Sequence, residues 1–575
     1  MMKKIINPIT HEFLFFTIIS ALLLEGTLAS HLFLTIQTLI LSIATVTIYT
    51  YFATTIVYYT KSKVIKCVFY ALVLALFIID IFLFLQFKSR ISPNIILLIA
   101  ETTVQESMEF IHTYLLSLKT LLIVILTIVF IGIIYFLEKN KRLFNMIAQN
   151  RIIKILLFCF LLMGVYSTTM LYYRLLKCQN MIEVDLWMKK YEMRAMDNFS
   201  NLTYSLYDIS LMNKELSKAL LNAEKNIDGT AIESDSLKII FVIGESHNKW
   251  HNELYGYPYH TNPKLIEERD SGRLFIFQDA ISPYNLTSSV LRSIFSTNCI
   301  GEKEYWSDYA FFPAIFHHAG YDVDFWDNQY DPKSRNSFDF SLNSYLHNPT
   351  IEKIAFTHKN TEIFEFDGEL VSDYYSYISQ KKKPTLTIFH LIGQHFSYYS
   401  RYPHNGKFNY FSLDSIKRKD PYITTEMLHI IVDYDNATRY NDFVLYSIIE
   451  KNKMNNCALV YISDHSEEIY DYQPRFGRSL EKQVSALELH YQFEVPFYVW
   501  CSERYQELHP DIIEGLKSSV GKPFSSDNIC HLLFHLAGIK TSYYIPSRDL
   551  INPTYQCSKR LVNDLVDYDL SIDAK

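Results

Sequence analysis

Long apolar runs fill the first third of the chain, and this uneven distribution constrains the fold more than any other sequence feature. Of the 575 residues, 49% are hydrophobic, but the Ile-, Leu- and Phe-rich runs stop near residue 173, after which charged, aromatic and turn residues mix as in a soluble domain. A helix needs about 20 apolar residues to cross a bilayer. Five segments approach or exceed that length, at 13–29, 32–58, 67–87, 120–138 and 152–172. The sequence therefore predicts an N-terminal membrane domain with five transmembrane helices.

Basic residues between these segments predict their orientation. They cluster at Lys3 and Lys4, between 61 and 66, and between 139 and 154, which all lie on one side of the membrane if five spans alternate. Loops rich in Lys and Arg face the cytoplasm. We therefore expect a multi-pass protein with a cytoplasmic N-terminus and with everything after about residue 173 outside.

Three parts follow from this division. Residues 1–175 are expected to form the membrane domain. Within it, apolar residues at helical spacing with acidic residues between them predict an amphipathic surface helix at about 91–118, with an ordinary connecting helix as the alternative. Residues 176–235 are polar and are expected to form a linker with bridging helices. Residues 236–575 are long enough for a folded domain with its own core.

Short apolar runs rich in β-branched and aromatic residues alternate with helical patterns after residue 237. This alternation is typical of a mostly parallel sheet covered by helices on both faces, so we expect an α/β domain. The predicted strands are 239–243, 274–277, 323–326, 386–389, 459–462 and 495–500.

Metal-ligand side chains stand at the ends of three predicted strands. Glu245 follows the first run, Asp464 and His465 follow another, and His390 ends a third. Taken singly, each of these residues can be explained by a structural role, because a carboxylate at a strand end often caps a helix and a histidine is often structural. In open α/β sheets, however, ligands bind beyond the carboxyl ends of the strands. Carboxylates together with imidazole suit Zn²⁺, so the joint placement predicts a zinc site.

Hydroxyl side chains that could act as a nucleophile follow the strand at 274–277. The run Asn285-Leu286-Thr287-Ser288-Ser289 precedes a helical pattern, and a helix N-terminus would present backbone N–H groups to a phosphate. Ser and Thr are also ordinary N-caps, and spacing alone does not choose among Thr287, Ser288 and Ser289.

An ordered set of motifs resembles the phosphoethanolamine transferases that modify lipid A and lipopolysaccharide core. These are sulfatase-like enzymes of the alkaline-phosphatase superfamily with five N-terminal spans. The resemblance covers nearly the whole chain. The matching segments are Val242–Ser246, Leu254–Tyr257, Phe325–Gln329, His390–His395, Tyr434–Asn436 and Tyr461–Glu468.

The resemblance implies an activity and a set of roles. Glu245, Asp464 and His465 would bind Zn²⁺ together with the hydroxyl of Thr287. Thr287 would be the nucleophile that takes phosphoethanolamine from phosphatidylethanolamine and passes it to lipopolysaccharide. His395 would contact the transferred phosphate or assist proton transfer.

Three further expectations follow from the resemblance. His390 would be a weaker catalytic candidate, because it can also belong to the sheet structurally. His490 would be a candidate near the site, outside the metal ligands. A monomer in the inner membrane of a Gram-negative bacterium, with its catalytic domain in the periplasm, is expected.

Alternatives stay open at this point. Another enzyme on the same fold, such as a phosphoglycerol transferase or a phosphodiesterase, would use similar residues, whereas a sulfatase is disfavoured because no Cys/Ser-x-Pro-x-Arg signature occurs near Thr287. A transporter or sensor could explain Glu25 and Asp80 within the apolar segments. A net charge of -7 without long basic blocks argues against nucleic acid as a partner. Six cysteines lie beyond the apolar segments, and they allow 15 pairings, so the sequence does not determine any disulfide.

Overall fold

The computed structural model describes most of the chain. The described residues are 5–30, 36–87, 91–92, 95–96, 99, 107–108, 110–139, 151–179, 183–184, 198–223, 227–231, 236–301, 306–329, 345–378, 383–418, 420–479 and 484–573. They form two compact units, Met1–Asn213 and Lys214–Lys575.

The first unit is helical, and its helices fall where the apolar segments predict them. Two of them, Lys63–Phe87 and Arg151–Leu175, are long and apolar enough to cross a membrane, judged over the described residues. Part of the predicted surface helix at 91–118 lies outside the described residues, and the described part includes one π-helical turn at Ile111–Leu115. The number of membrane crossings stays a prediction. Among the described residues, the other long or short helices before the second unit's sheet are Asn7–His11, Phe13–Ser30, Ile36–Tyr59, Leu118–Lys139 and Asn198–Asn222.

A seven-stranded sheet forms the centre of the second unit. Its strands in chain order are β1 (Lys238–Gly244), β2 (Leu274–Phe277), β3 (Asp322–Asp327), β4 (His358–Lys359), β5 (Thr385–His390), β6 (Cys457–Ser463) and β7 (Phe497–Cys501).

The sheet is mostly parallel, as the sequence predicts. The spatial order is β2-β7-β6-β1-β5-β3-β4, in which β6, β1, β5, β3 and β4 run parallel. β7 runs antiparallel to its neighbours β6 and β2, so it is the one reversed strand of this sheet. All six predicted strands are present. β4 is missing from the prediction because its two residues, His358 and Lys359, carry no apolar pattern.

Both faces of the sheet are buried, which explains why its strands read as continuous apolar runs. Along β1, Ile239, Phe241 and Ile243 belong to one hydrophobic core, while Ile240 and Val242 belong to the other. This alternation follows from the two-residue period of a strand. The central strands are therefore fixed in register, and so are the residues that follow them.

Helices cover the sheet and short strand pairs tie down its loops. The helices are Pro263–Asp270, Thr287–Phe295, Phe312–His318, Pro349–Ala355, Asp367–Tyr377, Thr425–Asn452, Ala486–Glu488, Glu503–Leu508, Pro510–Ser519, Ile529–Leu536 and Tyr568–Asp573. The short pairs join Thr230–Ala231 to Ile539–Lys540, Ala280–Ile281 to Phe524–Ser525, Glu468–Ile469 to Phe476–Gly477, and Leu561–Val562 to Val566–Asp567.

No disulfide joins any of the eight cysteines, all of which lie among the described residues. Cys457 and Cys501 lie on the neighbouring strands β6 and β7, where Cys501 pairs with Ala458. Cys457 is therefore one residue out of register with Cys501, and the two thiols belong to the cores on opposite faces of the sheet. A disulfide between them would need the strands to move.

Candidate metal centre

The carboxyl ends of the parallel strands bring the predicted ligands together. β6 and β1 are neighbours, so Asp464 after β6 and Glu245 after β1 start from adjacent strand ends. His465 follows Asp464 directly. One ligand atom from each of these three side chains lies within 4.8 Å of the other two, and all three side chains are buried. The predicted cluster of Glu245, Asp464 and His465 is present.

Both carboxylate oxygens of Glu245 are held by hydrogen bonds. Oε1 accepts one from the Ser246 hydroxyl at 2.6 Å and lies 3.3 Å from His465 Nε2. Oε2 accepts from the Thr287 hydroxyl at 3.0 Å and from the Gln329 amide at 3.1 Å. Glu245 therefore connects the possible nucleophile to the ligand cluster.

Asp464 and His465 present one ligand atom each to the same point. Asp464 Oδ1 accepts from the backbone N–H of Ser246 at 3.1 Å and of His465 at 2.6 Å. The other oxygen, Oδ2, is buried without a hydrogen-bond partner and lies 3.1 Å from His465 Nε2. The Nδ1 of His465 lies 3.0 Å from the Ser466 carbonyl, to which it can only donate, so the lone pair is on Nε2.

The electrostatics of this cluster favour a cation. Burial and the negative charge of Glu245 raise the pKa of Asp464 well above its usual range. Burial and the charge of Arg478 lower the pKa of His465 to about 4, so the imidazole is neutral. A buried oxygen without a hydrogen-bond partner, a second carboxylate and an imidazole lone pair form a donor set that suits Zn²⁺. The residues present therefore fit the metal that the sequence predicts.

Of the three candidate hydroxyls in the run 287–289, that of Thr287 contacts the cluster. Thr287 is the first residue of the helix Thr287–Phe295, and its Oγ1 lies 3.4 Å from His465 Nε2 in addition to its hydrogen bond with Glu245. Ser289 instead accepts from Arg292 within the helix. The structure thus distinguishes Thr287 geometrically from the neighbouring serines, which sequence spacing could not do.

His395 lies on the loop after β5, which packs directly against Glu245. Gln394 N–H donates to the Glu245 carbonyl at 3.0 Å. Gly393 has φ +47°, and a Cβ there would lie 2.8 Å from that same carbonyl oxygen, so only glycine allows the approach. Asp367 accepts hydrogen bonds from the Ile392 and Gly393 N–H groups, both at 2.9 Å, and these bonds hold the loop in place. His395 itself is half-buried.

His390 is buried at the end of β5 and has a partner of its own. Its Nδ1 lies 3.0 Å from Asp327 Oδ1 at the end of the adjacent strand β3, and its Nε2 has no hydrogen-bond partner. Asp327 also contacts His347 at 3.2 Å. His390 is thus placed beside the site and outside the three-residue ligand cluster.

His490 has contacts of a different kind. It stacks on Trp250 with ring centroids 4.2 Å apart, and its Nδ1 lies 2.7 Å from Glu494, which also pairs with Lys249 at 2.8 Å. None of the contacts described for His490 involves the three ligand residues. A role for His490 near the metal stays a prediction.

Sequence reasoning missed three residues that contact the cluster. Ser246 and Gln329 bind Glu245, and both lie inside segments that carry the resemblance, which is the signal that could have found them. Arg478 lies with its Nη1 2.5 Å from His465 Nε2. Arg478 follows the two-residue strand Phe476–Gly477, which no apolar run predicts, so the sequence offers no comparable signal for it.

A buried imidazole braces the segments that carry the ligands. His251 has no exposed surface, and its two ring nitrogens lie 2.7 Å from Asp435 and 3.2 Å from Asp471. Asp435 belongs to the helix Thr425–Asn452, while Asp471 belongs to the segment after Asp464. Burial alone would lower the pKa of His251, but the two carboxylates outweigh it and raise the pKa to about 9.

We expect this brace to make stability depend on pH. An unfolded histidine has a pKa of about 6.5, so the protonated brace contributes about 3 kcal/mol that is fully present below pH 6.5 and is lost as pH rises through about 9. Thermal unfolding of the solubilised protein, followed by tryptophan fluorescence, should show Tm falling across this window. The fall should be smaller in the double variant His251→Gln/Asp435→Asn. Equal slopes for the two proteins would contradict the raised pKa.

Named relatives agree with the resemblance drawn from the motifs. The chain is 28% identical over 344 residues to the phosphoethanolamine transferase EptC of Escherichia coli strain K12, a match that covers 58% of this chain and 57% of the relative. The chain thus spans just over half the length of that relative.

Solved structures agree on the fold. The C-terminal periplasmic domain of EptC from Escherichia coli, crystallised in complex with Zn, matches with TM-score 0.51 and 27% identity over 59% of this chain and 95% of that domain. The integral membrane protein lipooligosaccharide phosphoethanolamine transferase A from Neisseria meningitidis matches with TM-score 0.61 and 16% identity over 95% of this chain and 97% of that one, which shows a common fold.

A family model covers the whole central sheet. The model described as Sulfatase matches residues 238–539, which is more than half of the chain. That range begins at β1 and contains every side chain of the ligand cluster. The chain therefore belongs to the sulfatase family, and its named relatives there are phosphoethanolamine transferases.

Proposed function

We propose that this protein is a zinc-dependent phosphoethanolamine transferase that moves phosphoethanolamine from phosphatidylethanolamine to lipopolysaccharide through a covalent intermediate on Thr287. The observation that carries the proposal is the hydrogen bond from the Thr287 hydroxyl to Glu245 within the ligand cluster. A nucleophile needs an activating neighbour within hydrogen-bond reach, and this arrangement supplies one.

Zinc bound by Glu245, Asp464 and His465 would polarise the phosphoryl group and lower the pKa of the Thr287 hydroxyl. In the first step, Thr287 Oγ1 forms a bond to phosphorus as the bond from phosphorus to the diacylglycerol oxygen breaks. The proton that Thr287 loses is balanced by the proton that diacylglycerol gains. In the second step an oxygen of the acceptor forms a bond to the same phosphorus as the bond from phosphorus to Thr287 Oγ1 breaks. The proton that the acceptor loses balances the proton that Thr287 regains.

The chain's own side chains orient these steps. Glu245 Oε2 holds the hydroxyl, and the first turn of the helix Thr287–Phe295 directs backbone N–H groups towards an anion. His395 would donate or accept the exchanged proton, and the packing of its loop against Glu245 supports this role. His390 would support this edge of the site through its contact with Asp327.

We place the catalytic domain in the periplasm and the N-terminal unit in the inner membrane. The apolar helices and the charge pattern of the loops support this placement. A matching structure is named for a periplasmic domain and another for an integral membrane protein. A phosphoglycerol transferase on the same fold is the second candidate, because the same nucleophile and metal would serve a different donor.

Mass spectrometry of lipopolysaccharide tests the proposal. Cells that produce the protein should carry an added phosphoethanolamine on lipid A or core, and cells that produce Thr287→Ala should not, at equal protein level. An added phosphoglycerol would instead support the second candidate. If neither group appears and membrane lipids are unchanged, the proposed substrates are wrong.

A further inference from the structure

Arg478 is a cation at the ligand cluster to which the proposed mechanism gives no role. Its side chain is 14% exposed, so it is held rather than free in solvent. Nη1 lies 2.5 Å from His465 Nε2 and donates to the Asn285 carbonyl at 2.9 Å. Asn285 precedes Thr287 by two residues, so the guanidinium lies between a metal ligand and the segment that carries the nucleophile.

We propose that Arg478 binds the phosphoryl group that is transferred, an inference that rests on the proposed phosphoryl-transfer function. The first argument is competition for one lone pair. His465 Nε2 accepts from Arg478 in this structure, but the same lone pair would bind the metal. With a metal bound, Arg478 must leave that acceptor, and the two positive charges repel each other.

The second argument is what the guanidinium would meet instead. The Asn285 carbonyl and Glu467, whose Oε1 lies 3.9 Å from Nε, still hold the side chain beside Thr287. Nη2 has no hydrogen-bond partner among the described residues. Two N–H groups are therefore open to an anion at this place. The planar guanidinium matches two oxygens of a phosphoryl group, and its positive charge favours that anion over a neutral ligand.

The third argument is the direction of the charge change. Phosphoryl transfer develops negative charge on the oxygens of the transferred group, and fixed cations stabilise that charge. Arg478 keeps its protons throughout, so it forms and breaks no covalent bond. It would act on any phosphoryl donor, whichever group is attached to the phosphorus.

Inorganic phosphate is the probe that tests this inference. Phosphate titrated calorimetrically into the zinc-loaded full-length protein should bind about 10- to 100-fold more weakly to Arg478→Ala, as expected for one charge-assisted contact. The phosphate affinity of Arg478→Lys should lie between those of the natural protein and Arg478→Ala, because lysine keeps the charge but lacks the two parallel N–H donors of the guanidinium. The control is Arg475→Ala, an arginine of the same loop that is 17% exposed and pairs with Glu468 and Glu488. It should bind phosphate like the natural protein.

Zinc affinity separates a phosphate contact from a structural role. Arg478→Ala should bind zinc as tightly as the natural protein or more tightly, because a competitor for His465 is removed. Unchanged phosphate binding in Arg478→Ala would overturn the inference, and so would a loss of zinc equal to the loss of phosphate. If the variants fail to fold, the natural protein decides: phosphate should protect Arg478 from phenylglyoxal, and modification at an unchanged rate would overturn the inference.

Phosphate binding is independent of the donor and the acceptor. If lipopolysaccharide gains no phosphoethanolamine but Arg478→Ala still weakens phosphate binding, the proposed substrates fail and the role of Arg478 stands. If lipopolysaccharide is modified and phosphate binding is unchanged in Arg478→Ala, the role of Arg478 fails alone.

Discussion

Replacing Thr287 by Ala should abolish both the covalent intermediate and transfer. The substitution removes the only oxygen of that residue that can bond to phosphorus, while the three ligand side chains remain. Incubation with phosphatidylethanolamine labelled in its headgroup, followed by intact-protein mass spectrometry, should show labelled natural protein and unlabelled Thr287→Ala. Zinc content should stay measurable, since Glu245, Asp464 and His465 are unchanged.

Two further variants make this result specific. Ser288→Ala should retain label and transfer, because Ser288 is buried in the helix and Thr287 makes the contact with Glu245. His395→Ala should reduce transfer by roughly a hundred- to ten-thousand-fold, as is typical of a lost acid or base, and should keep its zinc. If Thr287→Ala still became labelled while His395→Ala lost its zinc, the assigned roles would be wrong. The nucleophile would then have to be sought among Ser282, Ser288 and Ser289.

Replacing Asp464 by Asn should remove zinc and activity with little change in fold. Asn keeps the Oδ1 acceptor for the N–H groups of Ser246 and His465, but it puts an NH₂ group where the partnerless Oδ2 faces His465. The loss concerns a direct ligand, so zinc affinity should fall by more than the roughly 10- to 100-fold typical of outer groups. The zinc content of each protein is measured by elemental mass spectrometry. The need for the metal is measured as transfer activity after chelation.

A buried carboxylate far from the cluster provides the control. Asp442 is also buried, and it accepts from the N–H groups of Lys264 and Leu265 at the start of the helix Pro263–Asp270. Asp442→Asn should keep its zinc although a buried charge is lost there too. Full zinc occupancy in Asp464→Asn, or full turnover by chelated natural protein, would remove the metal from the mechanism.

The sequence alone predicted the α/β sheet of the second unit and the grouping of three candidate metal ligands. Apolar length predicted where the helices of the first unit lie, and β-rich runs predicted six of the seven strands of the sheet. Parallel strands end at the same edge of a sheet, so residues that follow neighbouring strands lie close together however far apart they are in the sequence. For this reason Glu245 and Asp464 could be paired from their positions after β1 and β6.

Tertiary structure alone decided which further side chains reach the cluster. The local sequence does not distinguish Thr287 from Ser288 and Ser289. In the fold, the helix begins at Thr287 and is oriented so that the Thr287 hydroxyl contacts Glu245. The resemblance suggests His490 as a candidate near the site, and the fold stacks its ring on Trp250, so its role stays a prediction.

The same reason explains the remaining differences. Arg478 contacts His465 in the folded chain, but neither an apolar alternation nor a motif in the sequence predicts where Arg478 lies. The two faces of the sheet separate Cys457 from Cys501, which sequence counting leaves as one of 15 pairings. Periodicity reports which face of an element a residue occupies, whereas distances between loops depend on how the whole chain packs.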